Sequence, residues 1–426
     1  MSIQKREDGN CILRLILNSK GWANARLPAF VLLTAVATLG LLGAGGLVTS
    51  HGAGMAVPDW PNTYGYNMFF FPFSRWVGGV FYEHTHRLFA SLVGLLTAIL
   101  ALWLYGAKAR PWMRGLGLAL LAGALGVLLG WPRRWSDALV AGLTGAALFG
   151  SSFAWPRGEP SPRWLRRLGL AALLAVVLQG VLGGLRVVLF RDQLGIFHAT
   201  LAQLFFALVC ALALFTSDWW QKGATEVRAG FEAGRIPLLV LATTVLILGQ
   251  LILGAWMRHQ HAGLAIPDFP LAYGKLWPRM DAASVALYNQ RRLEIVSLNP
   301  ITSFQIGLQM AHRLVAVLIL AGVGACAWGT LRRLGAGSAL GKLALAWLGL
   351  VLAQALLGAL TIWSDKAADI ATAHVLGGAL CLALGTLQCL LWLHDFLPPR
   401  RRLARETSPA GTSEPGLGLR FGPAQP

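Results

Sequence analysis

The stretch Glu83-His84-Thr85-His86-Arg87 stands where a long polar loop meets the apolar run Leu88 to Tyr105. That run is long enough to cross the ~30 Å hydrocarbon core of a bilayer. An acid, two imidazoles and a guanidinium at the mouth of a membrane helix are costly to place there, so they mark a site. The arrangement returns as Gln309-Met310-Ala311-His312-Arg313, again opening an apolar run. Two further apolar runs begin close to His198 and His374. Four histidines, each near the start of an apolar run, are the signal from which the rest of the chain is read.

The surrounding sequence fits a membrane setting. The 426 residues are 56% hydrophobic and 13% charged, with mean hydropathy +0.59. So many long apolar runs imply an all-α polytopic membrane protein, not a soluble domain. The formal net charge of +18 sits in short loops between the runs, where it acts as a topology signal and not as a nucleic-acid footprint. Cys11, Cys210, Cys326, Cys381 and Cys389 show no CxxC spacing and none falls in a loop placed outside, so no structural disulfide is expected. The first apolar run is long enough to remain as a span, so no cleavable signal peptide is read.

The apolar runs lie at about 28–49, 85–105, 168–189, 196–216, 236–257, 303–331, 343–363 and 370–392. Two shorter runs, about 115–131 and 138–155, flank Trp131-Pro132-Arg133-Arg134-Trp135. With the N-terminus in the cytoplasm, nearly two-thirds of the 36 Lys and Arg fall on the cytoplasmic side, as the positive-inside rule requires. Both termini are then inside, and the four histidines and both long loops lie towards the outer face.

The chain also repeats itself. Gly54-Met55-Ala56-Val57-Pro58-Asp59-Trp60-Pro61 matches Gly263-Leu264-Ala265-Ile266-Pro267-Asp268-Phe269-Pro270 at an offset of 209, and Tyr64-Gly65 matches Tyr273-Gly274. Glu83/Gln309, His86/His312 and Arg87/Arg313 match at 226. Gln179-x-x-x-Gly183 matches Gln354-x-x-x-Gly358 at 175, and His198 matches His374 at 176. The drop in offset assigns an apolar hairpin of roughly 51 residues, about 107–157, to an insertion in the first half. The expected architecture is two tandem four-helix bundles in a parallel repeat. It has eight core spans, or ten if the hairpin crosses fully instead of forming a shallow re-entrant pair. The expected segments are a cytoplasmic 1–27, a first bundle at 28–216, a linker at 217–235, a second bundle at 236–392 and a disordered tail at 393–426.

Within each half, one histidine heads the second span and one heads the fourth. In a bundle these can face each other at one depth, and two facing imidazoles make a bis-histidine haem site. Arg87 and Arg313 could then pair with haem propionates. Asp59 and Asp268 read as turn-builders. His51, His84, His259 and His261 lie in or beside the outer loops without an assigned role, and His394 reads as incidental. Glu83 lies one helical turn before His86 on the same face, whereas its counterpart Gln309 cannot ionise. The first half therefore reads as a reaction site and the second as a cofactor site.

These residues resemble the haem A synthase family: Glu83-x-x-His86-Arg87, His198, His312-Arg313, His374, the Gly-x-x-x-Pro-Asp-aromatic-Pro loops and the Gln-x-x-x-Gly helices. The resemblance spans about residues 28–392 apart from the insertion. It implies a bacterial inner-membrane oxidoreductase that oxidises a ring methyl of haem O to a formyl group by successive hydroxylation and loss of water. It further implies haem b on the iron ligands His312 and His374, with His86 and His198 flanking or ligating the substrate haem O and Glu83 needed for turnover. An electron donor and the haem O synthase are the implied partners. Relatives often carry a cysteine pair in the first outer loop, but Thr49–Tyr82 contains none. The competing readings are a di-haem electron carrier without chemistry on the haem, for which the same histidines would serve, and a repeat-built transporter. The transporter would want polar or broken helices near the midplane, whereas the ionisable residues here cluster at one rim.

Overall fold

The computed structural model describes residues 26–191, 193–222, 234–291 and 300–395. Most of the expected N-terminal segment, linker and C-terminal tail, with Cys11, lies outside them. Ten long helices make up the described architecture: α1 Arg26–Ser50, α2 Gly78–Tyr105, α3 Ala109–Gly130, α4 Trp135–Ala154, α5 Arg163–Val188, α6 Gln193–Thr216, α7 Ile236–His259, α8 Ser303–Leu334, α9 Ala339–Trp363 and α10 Ala368–Asp395. Among the described residues, nine stretches are long and apolar enough to span a membrane, with Gly78–Gly130 counted as one stretch of 53 residues. At ~1.5 Å per residue such a run would measure about 80 Å, far more than a bilayer core, and it folds back at Gly106. This residue takes φ +55, and a Cβ on it would stand 2.5 Å from the Gly158 carbonyl oxygen; only glycine fits such a turn.

In the first half α1, α2, α5 and α6 pack in a closed ring, and in the second α7, α8, α9 and α10 do the same. The halves meet where α1 and α6 touch α10 and where α6 touches α7. The most deeply buried of these helices are α6 and α10, which carry His198 and His374. In lipid, helices gain little from apolar burial against each other, so close van der Waals approach over small residues must supply the attraction. The sequence provides it: a Cβ at Gly385 would lie 2.6 Å from Thr244 Oγ1 and 2.9 Å from Trp347.

The insertion forms a hairpin of two full-length helices, α3 and α4 (22 and 20 residues). These cross at Gly117 and Gly145, where a Cβ on either would stand 2.8 Å from the other's carbonyl oxygen. Its ends are stitched together where it joins the ring: Ser161 N–H donates to Leu104 C=O at 2.9 Å and Ala107 N–H to Gly158 C=O at 3.1 Å. At the far end Asn67 Nδ2 of the first long loop donates to Asp137 Oδ1 at 2.8 Å, and Phe70 packs against Trp135.

One difference of boundary from the sequence reading bears on the site. Helix α2 starts at Gly78, well before the expected residue 85, so Glu83–Arg87 lie inside the helix and not at its mouth. The polar side chains remain helical there because the preceding loop folds back and satisfies them.

Candidate functional site

Each of the four histidines rests against a glycine of the helix that precedes its own. A Cβ at Gly45 of α1 would lie 3.0 Å from His86 Cε1, one at Gly183 of α5 3.1 Å from His198, one at Gly254 of α7 3.3 Å from His312, and one at Gly358 of α9 3.1 Å from His374. A methyl at any of these glycines would make the imidazole give by a few tenths of an ångström. One helical turn before three of these glycines stands a glutamine that clamps the histidine backbone. Gln179 Nε2 donates to the His198 carbonyl at 2.8 Å, Gln250 Nε2 to that of His312 at 2.9 Å, and Gln354 Nε2 to that of His374 at 2.7 Å. The fourth such place holds Leu41, so no matching glutamine clamps His86.

The second-half pair meets directly: the His312 and His374 rings have centroids 6.5 Å apart. A metal between two imidazoles, at roughly 2 Å from each nitrogen and with the ring radius added on either side, needs about 6 Å. The buried Nδ1 atoms of His86, His312 and His374 have no protein hydrogen-bond partner. In the first half, His86 and His198 lie within electrostatic range of each other. Among the described residues no group of three or more His, Cys, Asp or Glu gathers to hold a bare metal ion. Two imidazoles alone leave an iron short of ligands, and a porphyrin supplies the other four. The residues therefore fit a haem better than a free ion.

Above each pair a loop folds down on the helix that carries the first histidine. In the first half Glu83 Oε2 accepts from Val57 N–H at 2.8 Å. Its Oε1 accepts from Arg87 Nη2, also at 2.8 Å. Arg87 also donates to the carbonyls of Asp59, Asn62 and Val57. In the second half Gln309 Oε1 accepts from Ile266 N–H at 2.6 Å, and Gln309 Nε2 donates to the Ile266 carbonyl at 3.3 Å. Arg313 donates to Leu271 and Asp268 carbonyls, and its Nε is buried without an acceptor. Asp59 receives the N–H groups of Tyr64 and Gly65, and Asp268 those of Tyr273 and Gly274. Both aspartates thus build turns. Each loop carries a cis X-Pro bond, Trp60-Pro61 or Phe269-Pro270. Trp60 lies so close to Gly184 that a Cβ there would stand 2.3 Å from its ring. Phe269 packs against Trp363 of α9.

The remaining histidines divide. His51 stacks on Tyr82 at 4.1 Å. His259 presses on Gly195 at the start of α6, within electrostatic range of His198. His261 is a left-handed turn residue. His394 lies on the last turn of α10. His84, unassigned in the sequence, is fully buried beneath the first loop. Sequence reasoning also missed Gln250 and Gly254, although the Gln-x-x-x-Gly spacing on α7 is the same signal read on α5 and α9. It missed Arg258, which joins the halves by donating to Ser50 Oγ at 2.7 Å and to the Gly46 carbonyl.

Fold and site together describe a polytopic membrane protein with a pair of histidines in each half, each ring resting on a glycine. Comparison with known proteins agrees. The model of a family described as cytochrome oxidase assembly protein (COX15-CtaA) matches residues 133–386, and the chain belongs to that family. The matched stretch includes His198, His312, Arg313 and His374 and begins after Glu83–Arg87. The chain is 31% identical over 278 residues to the heme A synthase of Methylobacterium nodulans, covering 62% of this chain and 71% of that protein. It is 28% identical over 323 residues to that of Rhodopseudomonas palustris strain HaA2, covering 73% and 80%. With the Beijerinckia indica enzyme it shares 35% over 238 residues, 54% and 62% of the two chains.

Proposed function

We propose that this chain is a haem A synthase, an oxidoreductase converting haem O to haem A. Membership of the family and the heme A synthases among its relatives support the activity. The observation that carries the division of labour is the asymmetry of two otherwise matched centres. Both have two imidazoles seated on glycines, but only the first has a carboxylate one turn from its histidine.

In this reading His312 and His374 ligate a resident haem b, which supplies one-electron transfer when bound. Arg313, to which Gln309 brings no charge, keeps a buried Nε–H for a propionate. His86 and His198 hold the substrate haem O, with Arg87 fixing the loop above it through backbone carbonyls. The loop, wedged by Trp60 onto α5, limits water at the reacting methyl. That methyl is hydroxylated twice, a four-electron oxidation that requires an external oxidant, either dioxygen with electrons from a donor or an electron acceptor with the oxygen taken from water, and the resulting diol loses water to give the formyl group. Glu83 holds a carboxylate within a helical turn of His86, where it can accept or return a proton. Where dioxygen is the oxidant, its electrons come from a membrane donor; the substrate comes from a haem O synthase. The excess of Lys and Arg on one side supports a bacterial inner-membrane location with both termini cytoplasmic and the histidines towards the outer face.

A second reading has one observation in its favour. Both Glu83 oxygens are occupied by a backbone N–H and a guanidinium, as a purely structural latch would have them, and this suits a di-haem electron carrier. The deciding experiment expresses the chain in cells that make haem O but lack their own haem A synthase, followed by chromatography of extracted haems. Haem A must appear; haem O alone would favour the carrier.

A further inference from the structure

His84 sits next to the proposed catalytic acid but faces elsewhere. It is 0% exposed, and so is Thr63 of the first loop; His84 Nδ1 and Thr63 Oγ1 are 3.1 Å apart. The imidazole lies between Phe71, at 5.1 Å, and Trp76, at 4.6 Å between ring centroids. Its Nε2 and the Trp76 Nε1 are both buried without a hydrogen-bond partner. A half-satisfied polar group in such a place is a cost that apolar residues avoid.

The second half avoids it. At the offsets that match the loops and helices, Thr63 corresponds to Ala272 and His84 to Met310. Both counterparts belong to an apolar cluster with Ala265, Ile266, Ile301 and Ile306. Folding a loop of this type onto its helix therefore requires no polar pair at these two positions. The half that keeps the pair is the half that has an acid to place. The covalent and hydrogen-bonded route between them is short: Thr63 follows Asn62, whose carbonyl accepts from Arg87 Nη1 at 3.0 Å, and Arg87 Nη2 holds Glu83 Oε1.

We infer that His84 and Thr63 are positioning residues: their buried hydrogen bond sets the loop carbonyls that orient Arg87, and through Arg87 the Glu83 carboxylate, for oxidation of the substrate haem. The inference rests on the proposed haem A synthase activity and goes beyond it, because it concerns two side chains that hydrogen-bond each other and neither the four paired histidines nor the Glu83 carboxylate.

The test ranks variants of the full-length protein. His84→Asn keeps a side-chain nitrogen or oxygen near the place of Nδ1 and can still bond Thr63. His84→Met copies the second half and fills the space without that bond. Misplacing a catalytic group by even ~1 Å can cost about 100-fold in rate. Haem A formation in cells supplied with haem O should fall at least ~10-fold in His84→Met and stay within a fewfold of wild type in His84→Asn. Hydrogen exchange of the purified protein, read by mass spectrometry over residues 53–66, should quicken in His84→Met and not in His84→Asn. The haem spectrum of the second half should be unchanged in both. If packing were the whole role, methionine would serve as well as asparagine or better, and that ranking would overturn the inference. Should His84→Met fail to accumulate, Thr63→Val decides, since it removes only the hydroxyl: wild-type haem A formation there overturns the inference and a ~10-fold loss supports it. If wild-type protein itself makes no haem A, the activity is what has failed, and the exchange ranking still judges the contact.

Discussion

The loop over α2 and the loop over α8 close with the same bonds and different charges. Val57 N–H finds Glu83 where Ile266 N–H finds Gln309. Tyr64 and Tyr273 each donate a hydroxyl to the carbonyl eight residues back, Ala56 and Ala265. Asp59 and Asp268 cap equivalent turns. The latch on the helix therefore needs an acceptor, and an amide serves. A carboxylate that is 4% exposed, beside an amide that is 2% exposed in the matched place, is more than the latch demands. Burying a charge is expensive unless it is paired, and Arg87 is the pairing partner. The difference between the halves is thus one of charge laid over a common frame.

The comparison breaks first, and with the largest effect, at the histidines. His86→Ala or His198→Ala should abolish haem A formation while leaving the spectrum of the second-half haem intact, as read by chromatography and optical spectroscopy on one preparation. His312→Ala or His374→Ala should do the reverse to the spectrum, removing a low-spin haem b signal. An unchanged spectrum in both variants would sink the assignment of that pair.

A gentler change sharpens the comparison. Gly358→Ala brings a methyl to 3.1 Å from His374 Cε1, so the ring must give by a few tenths of an ångström. The haem should be retained with a shifted spectrum or potential; Gly349→Ala on the same helix meets nothing within 4 Å and should shift neither. The smallest effect is expected from the insertion. Because Leu104 and Ser161 are already bonded, deleting about 107–157 and rejoining with a short loop should leave the eight-helix frame folded, with haem b bound. Loss of both membrane insertion and haem would show that α3 and α4 are integral to it.

Much of this frame could be read before the coordinates. Span lengths follow from bilayer thickness, and a histidine near the head of an apolar run is conspicuous because polar groups there are costly. The loops declared themselves as Pro-Asp-aromatic-Pro at one offset. What escaped was contact across helices. Gln250-x-x-x-Gly254 is written plainly on α7, but its counterpart on α1 is Leu41-x-x-x-Gly45, so a comparison of halves hides it. The sequence suggested Arg87 and Arg313 for propionates; their guanidiniums reach back to loop carbonyls, a contact set by the fold of a loop whose path no periodicity reveals. His84 was noted without a role for a related reason: its partner Thr63 lies in an irregular turn, and only the pairing of Met310 with Ala272 in the other half makes the hydrogen bond conspicuous.

The two halves share a frame and differ in one ionisable group, Glu83, to which we assign the chemistry. Glu83→Gln tests that assignment most directly, because it rewrites the first latch as the second. Glutamine keeps an acceptor for Val57 N–H and leaves Arg87 without its carboxylate, the condition in which Arg313 already stands. General acid–base contributions are typically about 10²–10⁴-fold. The variant should fold, hold haem b on His312 and His374, and convert haem O slower by that order, with haem O or a hydroxylated intermediate accumulating in the extracted haems. Haem A at the wild-type level from Glu83→Gln would contradict the account and leave Glu83 as a latch alone.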